Sequence, residues 1–186
     1  NPKTLAIYLE EIARVFDEGE KVDPGRIGIV GNAITVSPWD AGIACYCADC
    51  RRLWDEEAGA LGEASAVLGT FVAELGHEVK KRWPGKTVIY LPYLNYTLAP
   101  KGIAFPDNVE VQLCGMSGLA LYKEPDTLQL FQGNIDTWRR LTGRKVQTWD
   151  YSCWPEDSTK APFLYPHVVK GYYEANREGR VLDGFD

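Results

Sequence analysis

No run of apolar residues in this chain approaches the ~20 needed to cross a bilayer as a helix. Basic residues are not in excess either. The net charge of −6 argues against a general nucleic-acid or anionic-membrane binder, since both need a basic face. Low-complexity tracts, sequence repeats and a linker that would divide the 186 residues are all missing, so one domain with a real core is expected. Histidine is scarce. His77 and His167 fall on or near helical segments, where a lone imidazole is usually a solvated or core group, and neither is assigned a catalytic role. The cysteines are odd in number (Cys45, Cys47, Cys50, Cys114, Cys153), so they cannot all pair into a closed disulfide framework and do not decide the compartment. Asn1-Pro2-Lys3-Thr4 leads into a helix without the segments of a signal peptide, which is the pattern expected of a stretch cut from a longer protein.

What is present is an alternation of helical and strand periods. Leu5, Leu9, Ile12 and Phe16 form one stripe of a helix from about residue 4 to 18, which Asp23-Pro24-Gly25 breaks. Arg26 to Val36 reads as one buried strand. Val67, Phe71, Leu75 and Val79 mark a helix that stops at Trp83-Pro84-Gly85. Strands follow over Lys86–Tyr93 and Val109–Cys114, with a long loop between them. Leu128, Phe131, Ile135, Trp138 and Leu141 define the next helix, closed by Gly143. Lys145–Tyr151 is a strand, Pro166 opens a fourth helix, and Val181–Phe185 begins a last strand. Units of this size imply α/β architecture with parallel strands and crossover helices. About five strands are too few for a complete (β/α)8 barrel of ~250 residues, so either an open sheet or the later part of a barrel is expected. Any shared functional rim depends on those strands being parallel, so that their trailing loops meet at one end.

The densest chemistry lies at one strand exit, Ser37-Pro38-Trp39-Asp40-Ala41-Gly42-Ile43-Ala44-Cys45-Tyr46-Cys47-Ala48-Asp49-Cys50. Three thiols this close suit a metal such as Zn2+, which wants four ligands in a structural site. Asp40, Asp49, His77 or a residue upstream of Asn1 could be the fourth. One disulfide plus a free thiol, or three reduced packed thiols, are the other readings. In each case the role is to pin a long loop. Asp40 lies where barrel enzymes place catalytic groups, although an Asp after proline also caps turns. Asp150 and Asp186 follow later strands. Alternation sets Asp150 opposite Trp149 and Tyr151, so the acid and the two rings cannot all face one lumen. Tyr93, Asn95, Tyr96 and Trp154 add hydroxyl, amide and ring groups at strand ends, which suit a sugar, while most aromatic residues are expected to fill the core.

These motifs resemble those of a bacterial family of unknown function, numbered 4838. The residues that carry the resemblance are Asn1-Pro2, Val36-Ser37-Pro38-Trp39-Asp40-Ala41-Gly42, Cys45-x-Cys47-x-x-Cys50, Tyr90-x-x-Tyr93, Trp149-Asp150-Tyr151 and Gly179-x-Val181-x-x-Gly184-Phe185. That family is similar to glycoside-hydrolase barrels in the neighbourhood of α-glucuronidases and family 20 hexosaminidases. The resemblance implies a (β/α)8 TIM-barrel-like fold with this chain as roughly its C-terminal half. It also implies a polysaccharide-related role and an extracellular or cell-envelope location. Trp39 departs from it, standing where a small polar residue is more usual. The expected activity is hydrolysis of a glycosidic bond by paired carboxylates, without an organic cofactor. Asp40 would be the general acid and Asp150 the second carboxylate. Trp39, Tyr93, Asn95, Tyr96, Trp149, Tyr151 and Trp154 would line the substrate site, and Cys45, Cys47 and Cys50 would hold metal. The rival readings are a non-catalytic carbohydrate-binding barrel and a metal- or disulfide-stapled structural module. The expected partners are a carbohydrate and either the rest of the barrel or a second copy of the chain.

Overall fold

A computed structural model describes residues 2–38, 40–114, 125–150 and 166–177. Helix α1 (Pro2–Phe16) starts on Pro2, whose fixed φ suits a first turn, and buries Leu9 and Ile12 of its apolar stripe. At the break after it, the Gly25 amide donates to Asp23 Oδ1 at 2.9 Å, an aspartate turn that explains why this Asp-Pro-Gly stops the helix.

The single strand expected over 26–36 is instead a hairpin, β1 (Gly28–Val30) antiparallel to β2 (Ala33–Val36). Gly31, at φ +58°, is the first of two turn residues, the position where the hairpin turns that match strand twist call for glycine. Only the exposed pair Gly31-Asn32 interrupts the apolar residues on either side, and that two-residue Gly-Asn step is the local sign of the reversal. The parallel strands on which the shared rim depends are present. β2, β3 (Thr87–Tyr90), β4 (Val109–Cys114) and β5 (Gln147–Trp149) pair side by side in chain order, all parallel. The result is a five-stranded sheet, not closed, with four parallel strands and one antiparallel edge strand. Of the expected C-terminal half of a barrel, with about five parallel strands, the described residues show an open α/β sheet with four parallel strands, and the strand expected over 181–185 lies outside them.

Short helix α2 (Ala48–Arg51) and long helix α3 (Ser65–Arg82) join β2 to β3. The β3–β4 connection is the expected loop, with one 3-10 turn at Leu94–Tyr96. Helix α4 (Pro125–Thr142) joins β4 to β5, and α5 (Pro166–Arg177) follows. Alternate strand residues Val88, Tyr90, Val109, Val111 and Leu113 are buried with Val72, Leu75 and Val79 of α3 and Phe131, Ile135 and Trp138 of α4. A Cβ at Gly76 would lie 2.6 Å from Val109 Cγ2 and 2.8 Å from Pro106 Cγ, so only glycine lets α3 come this near the start of β4. The opposite face of the sheet carries Ala33, Thr35, Ile89 and Gln112 and lines a cavity of about 680 Å³.

Candidate functional site

Parallel order brings the trailing ends of β2, β3, β4 and β5 to one edge of the sheet. The cavity on the face opposite the core reaches this edge. Its lining includes Ser37 and Asp40 after β2, Tyr93 after β3, Gln112 and Cys114 on β4, and Trp149 on β5. Asp40 is exposed, and it is the one carboxylate among the described lining residues. Tyr93 is half-buried beside it. Burial first, then its hydrogen bond to the Asp40 carboxylate and that group's charge, holds the Tyr93 hydroxyl above the usual phenol range.

The turn carrying Tyr93 is tightly built. Leu94 takes φ +48°, a region that costs a branched non-glycine side chain energy and that clusters near functional sites. Tyr96 is fully buried behind the rim, and its hydroxyl has no hydrogen-bond partner among the described residues. Its pKa is pushed up to about 12, chiefly by burial, with the charges of Tyr93, Asp40 and Cys114 adding to it. Asn95 does not face the cavity with a free amide. Its Oδ1 accepts from the Ile43 amide at 2.9 Å, and its Nδ2 donates to Ile43 O at 2.9 Å and to Glu63 Oε1 at 3.2 Å. A smaller apolar cavity of about 160 Å³ meets the first at Tyr93 and Cys114 and is lined by Leu61, Leu98 and Phe131.

Strand alternation separates the two proposed acids. Trp149 pairs with Cys114, is 43% exposed and lines the large cavity. Thr148 pairs with buried Leu113 on the other face. Asp150 follows Thr148: it accepts from Thr148 Oγ1 at 2.6 Å and from the Tyr172 hydroxyl of α5 at 3.2 Å. Asp40 and Asp150 thus share one end of the sheet but not one cavity. Of the tryptophan and tyrosine rings expected at the site, Trp149 takes the cavity side, while Trp39, Tyr151 and Trp154 lie outside the described residues, as do Cys153 and Asp186. Sequence reasoning missed Gln112, Cys114 and Tyr172. The first two could have been found by counting inward from the strand end in steps of two. Tyr172 comes from a distant helix and leaves no local signal.

Burial raises the Asp150 pKa above its ordinary 3.8, with the Thr148 and Tyr172 hydrogen bonds opposing the shift. The folded chain then holds a proton that the unfolded chain has lost. Asp150 therefore weakens the fold as pH rises from about 3.8 through the raised value, with no penalty below that window. Asp150→Asn is expected to flatten this part of the stability–pH curve. Urea midpoints measured between pH 3 and 7 check it, and an unchanged slope would contradict the burial argument.

The thiol loop sits beside this rim. Cys45, Cys47 and Cys50 place their sulfurs within 4.8 Å of one another, close enough to hold a metal ion. Cys45 and Cys47 are exposed, Cys50 is half-buried, and all three are free thiols. The backbone amide of Cys50, then the Cys45 and Cys50 thiols, lower Cys47 to about 7, while burial and its two thiol neighbours raise Cys50 to about 12. Among the described residues no His, Asp or Glu joins the cluster. Asp49 is paired with Arg52, and His77 is exposed on α3. The loop is fastened by the Trp54 Nε1–H donating to Cys45 O at 3.1 Å and by the Tyr46 ring stacked 4.9 Å from Trp54.

Fold and site together define a mixed α/β protein whose acid, phenol and indole gather at the trailing edge of a parallel sheet, next to a metal-capable thiol loop. Residues 1–164 match the family described as a domain of unknown function, DUF4838, and the chain belongs to that family. No curated protein and no solved structure matches it. Among the described residues, no helix is long and apolar enough to cross a membrane.

Proposed function

We propose that this chain carries the carbohydrate-facing strands of a glycoside-hydrolase-like (β/α)8 barrel, closed by other parts of its own protein or by a second copy, and working outside the cell or in its envelope. The observation that carries the reading is the convergence of Asp40, Tyr93 and Trp149 on one cavity at the trailing ends of parallel strands. Such ends are where barrel enzymes keep their chemistry. The exposed Trp149 ring offers a stacking face for a sugar, and the Tyr93 hydroxyl holds the Asp40 carboxyl in place. In this reading Asp40 transfers the proton to the leaving oxygen. Asp150 is a positioning residue that ties β5 to α5, because its oxygens are bonded to Thr148 and Tyr172. The second carboxyl that hydrolysis requires then comes from the strands that close the barrel.

A second reading, glycan binding without cleavage, is favoured by one observation: Asp40 is the single carboxylate in the described cavity lining. Either way Trp149→Ala is expected to weaken oligosaccharide binding about tenfold, the equivalent of ~1.4 kcal/mol. Calorimetric titration with a panel of soluble glycans checks this. Glycan affinity that is absent, or indifferent to Trp149, would remove carbohydrate from the proposal.

The thiol loop, in the same reading, holds a structural zinc ion through Cys45, Cys47 and Cys50. Its fourth position is filled by water or by a ligand from outside the described residues. Thiolates are soft donors that suit this ion, and their convergence on one point fits its compact coordination.

A further inference from the structure

We infer that metal binding at Cys45, Cys47 and Cys50 sets the position of Asp40, and that Asn95 is the residue that transmits it. The inference rests on the zinc reading of the thiol loop. Asp40 stands at the start of the loop and the thiols at its end. Midway, Ile43 is clamped by both of its backbone polar groups to the Asn95 side chain, at 2.9 Å each. Two such bonds to one carboxamide fix both the height and the direction of the loop at that point. The fit is close: a Cβ at Gly42 would lie 3.0 Å from Asn95 Oδ1. A third bond, to Glu63 Oε1, keeps the amide from turning over.

The clamp and the rim belong to one turn. Tyr93, which hydrogen-bonds Asp40, lies two residues before Asn95, and the strained Leu94 stands between them. On the far side, Trp54 holds the Cys45 carbonyl and stacks on Tyr46. The loop therefore has one fixed end at β2, one clamp at Asn95, and a thiol segment next to the clamp. A metal joining Cys45 to Cys47 and Cys50 restricts Ala44, the one residue between Cys45 and Ile43, which favours the clamped form. In that form Asp40 is held between the end of β2 and the clamp, against the Tyr93 hydroxyl. Linkage makes the effect reciprocal: an ion that stabilises the clamped loop binds more weakly once the clamp is removed.

The experiment uses the whole chain and Zn2+ as the probe. Zinc affinity is measured by competition with a chromophoric chelator, and amide hydrogen exchange is followed with and without zinc. Wild-type protein is expected to bind one zinc ion and to gain protection at Cys45–Cys50 and also at Asp40–Ile43 and Tyr93. Asn95→Ala is expected to bind zinc about 5- to 150-fold more weakly, the usual range of coupling between sites. It should keep the zinc-induced protection at the thiols and lose it at Asp40–Ile43 and Tyr93. A merely destabilising change would lower protection everywhere. Gly42→Ala, which pushes the loop off the amide from the other side, should reproduce the pattern and serves if Asn95→Ala does not fold. Wild-type protein that binds no zinc, or binds it as well after Cys45, Cys47 and Cys50 are changed to serine, would remove the zinc reading and this inference with it. Tight zinc binding that both clamp variants leave unchanged, with protection confined to the thiols, would leave the zinc reading standing and overturn the inference alone.

Discussion

Replacing Trp138 with alanine is expected to destabilise the chain by about 3–5 kcal/mol, the usual cost of truncating a large buried aromatic residue. Trp138 is completely buried on α4 and meets Tyr90 of β3 edge-on at 5.6 Å and Phe105 at 5.8 Å. Its indole N–H donates to Thr97 O at 3.1 Å. That carbonyl also accepts from Asn134 Nδ2 at 3.0 Å, so the mutation leaves it paired, and the loss comes from the void and the missing ring contacts. Trp138 ties together α4, β3 and the loop that follows the Tyr93 turn, so the loss should reach the rim as well as the core. Many domains have only ~5–15 kcal/mol of stability in total, so the variant should show a large fall in its urea midpoint. A change below about 1 kcal/mol would mean that α4 does not pack on the sheet as described.

In the hydrolytic reading proposed above, Asp40→Asn is expected to lower glycan turnover by roughly 10²–10⁴-fold, as befits loss of a general acid, while changing glycan affinity little. Asparagine keeps the size of the side chain and an acceptor oxygen for the Tyr93 hydroxyl, but carries no transferable proton. Release of reducing ends, measured beside binding, separates the two effects. Turnover that survives intact would remove Asp40 from the chemistry. Wild-type protein that binds glycans and releases no reducing ends, with the same affinity in the variant, would establish the non-catalytic reading instead. Asp150→Asn should behave differently, because Asp150 faces Thr148 and Tyr172 and not the cavity. Its effect belongs to the pH dependence of stability.

Much of this arrangement is legible in the residues. The stripe through Leu9 and Ile12, the stop at Trp83-Pro84-Gly85, the helix opening at Pro166 and the helixless β3–β4 connection all follow from local propensity and period, and the structure shows each of them. The hairpin at Gly31 departs from the single strand expected there: both of its strands are apolar, and the turn is marked only by the two-residue Gly31-Asn32 step between them. Closeness in sequence was enough to predict that Cys45, Cys47 and Cys50 could meet, since six positions of chain cannot carry them far apart.

The roles of Asn95 and Asp150 could not be read in the same way. An amide at a strand exit looks like a substrate ligand until the fold brings Ile43, 52 positions away, against it. Alternation showed that Asp150 and Trp149 must face opposite ways, yet only the packing of α5, which supplies the Tyr172 hydroxyl, decided which of them took the cavity. The sequence by itself determined most of the elements and the nearness of the three thiols, because each depends on forces acting over a few residues, and the alternation of helices and strands implied the parallel winding of the site-bearing strands. Tertiary structure alone decided the faces, since which side of a sheet is covered depends on where distant helices dock.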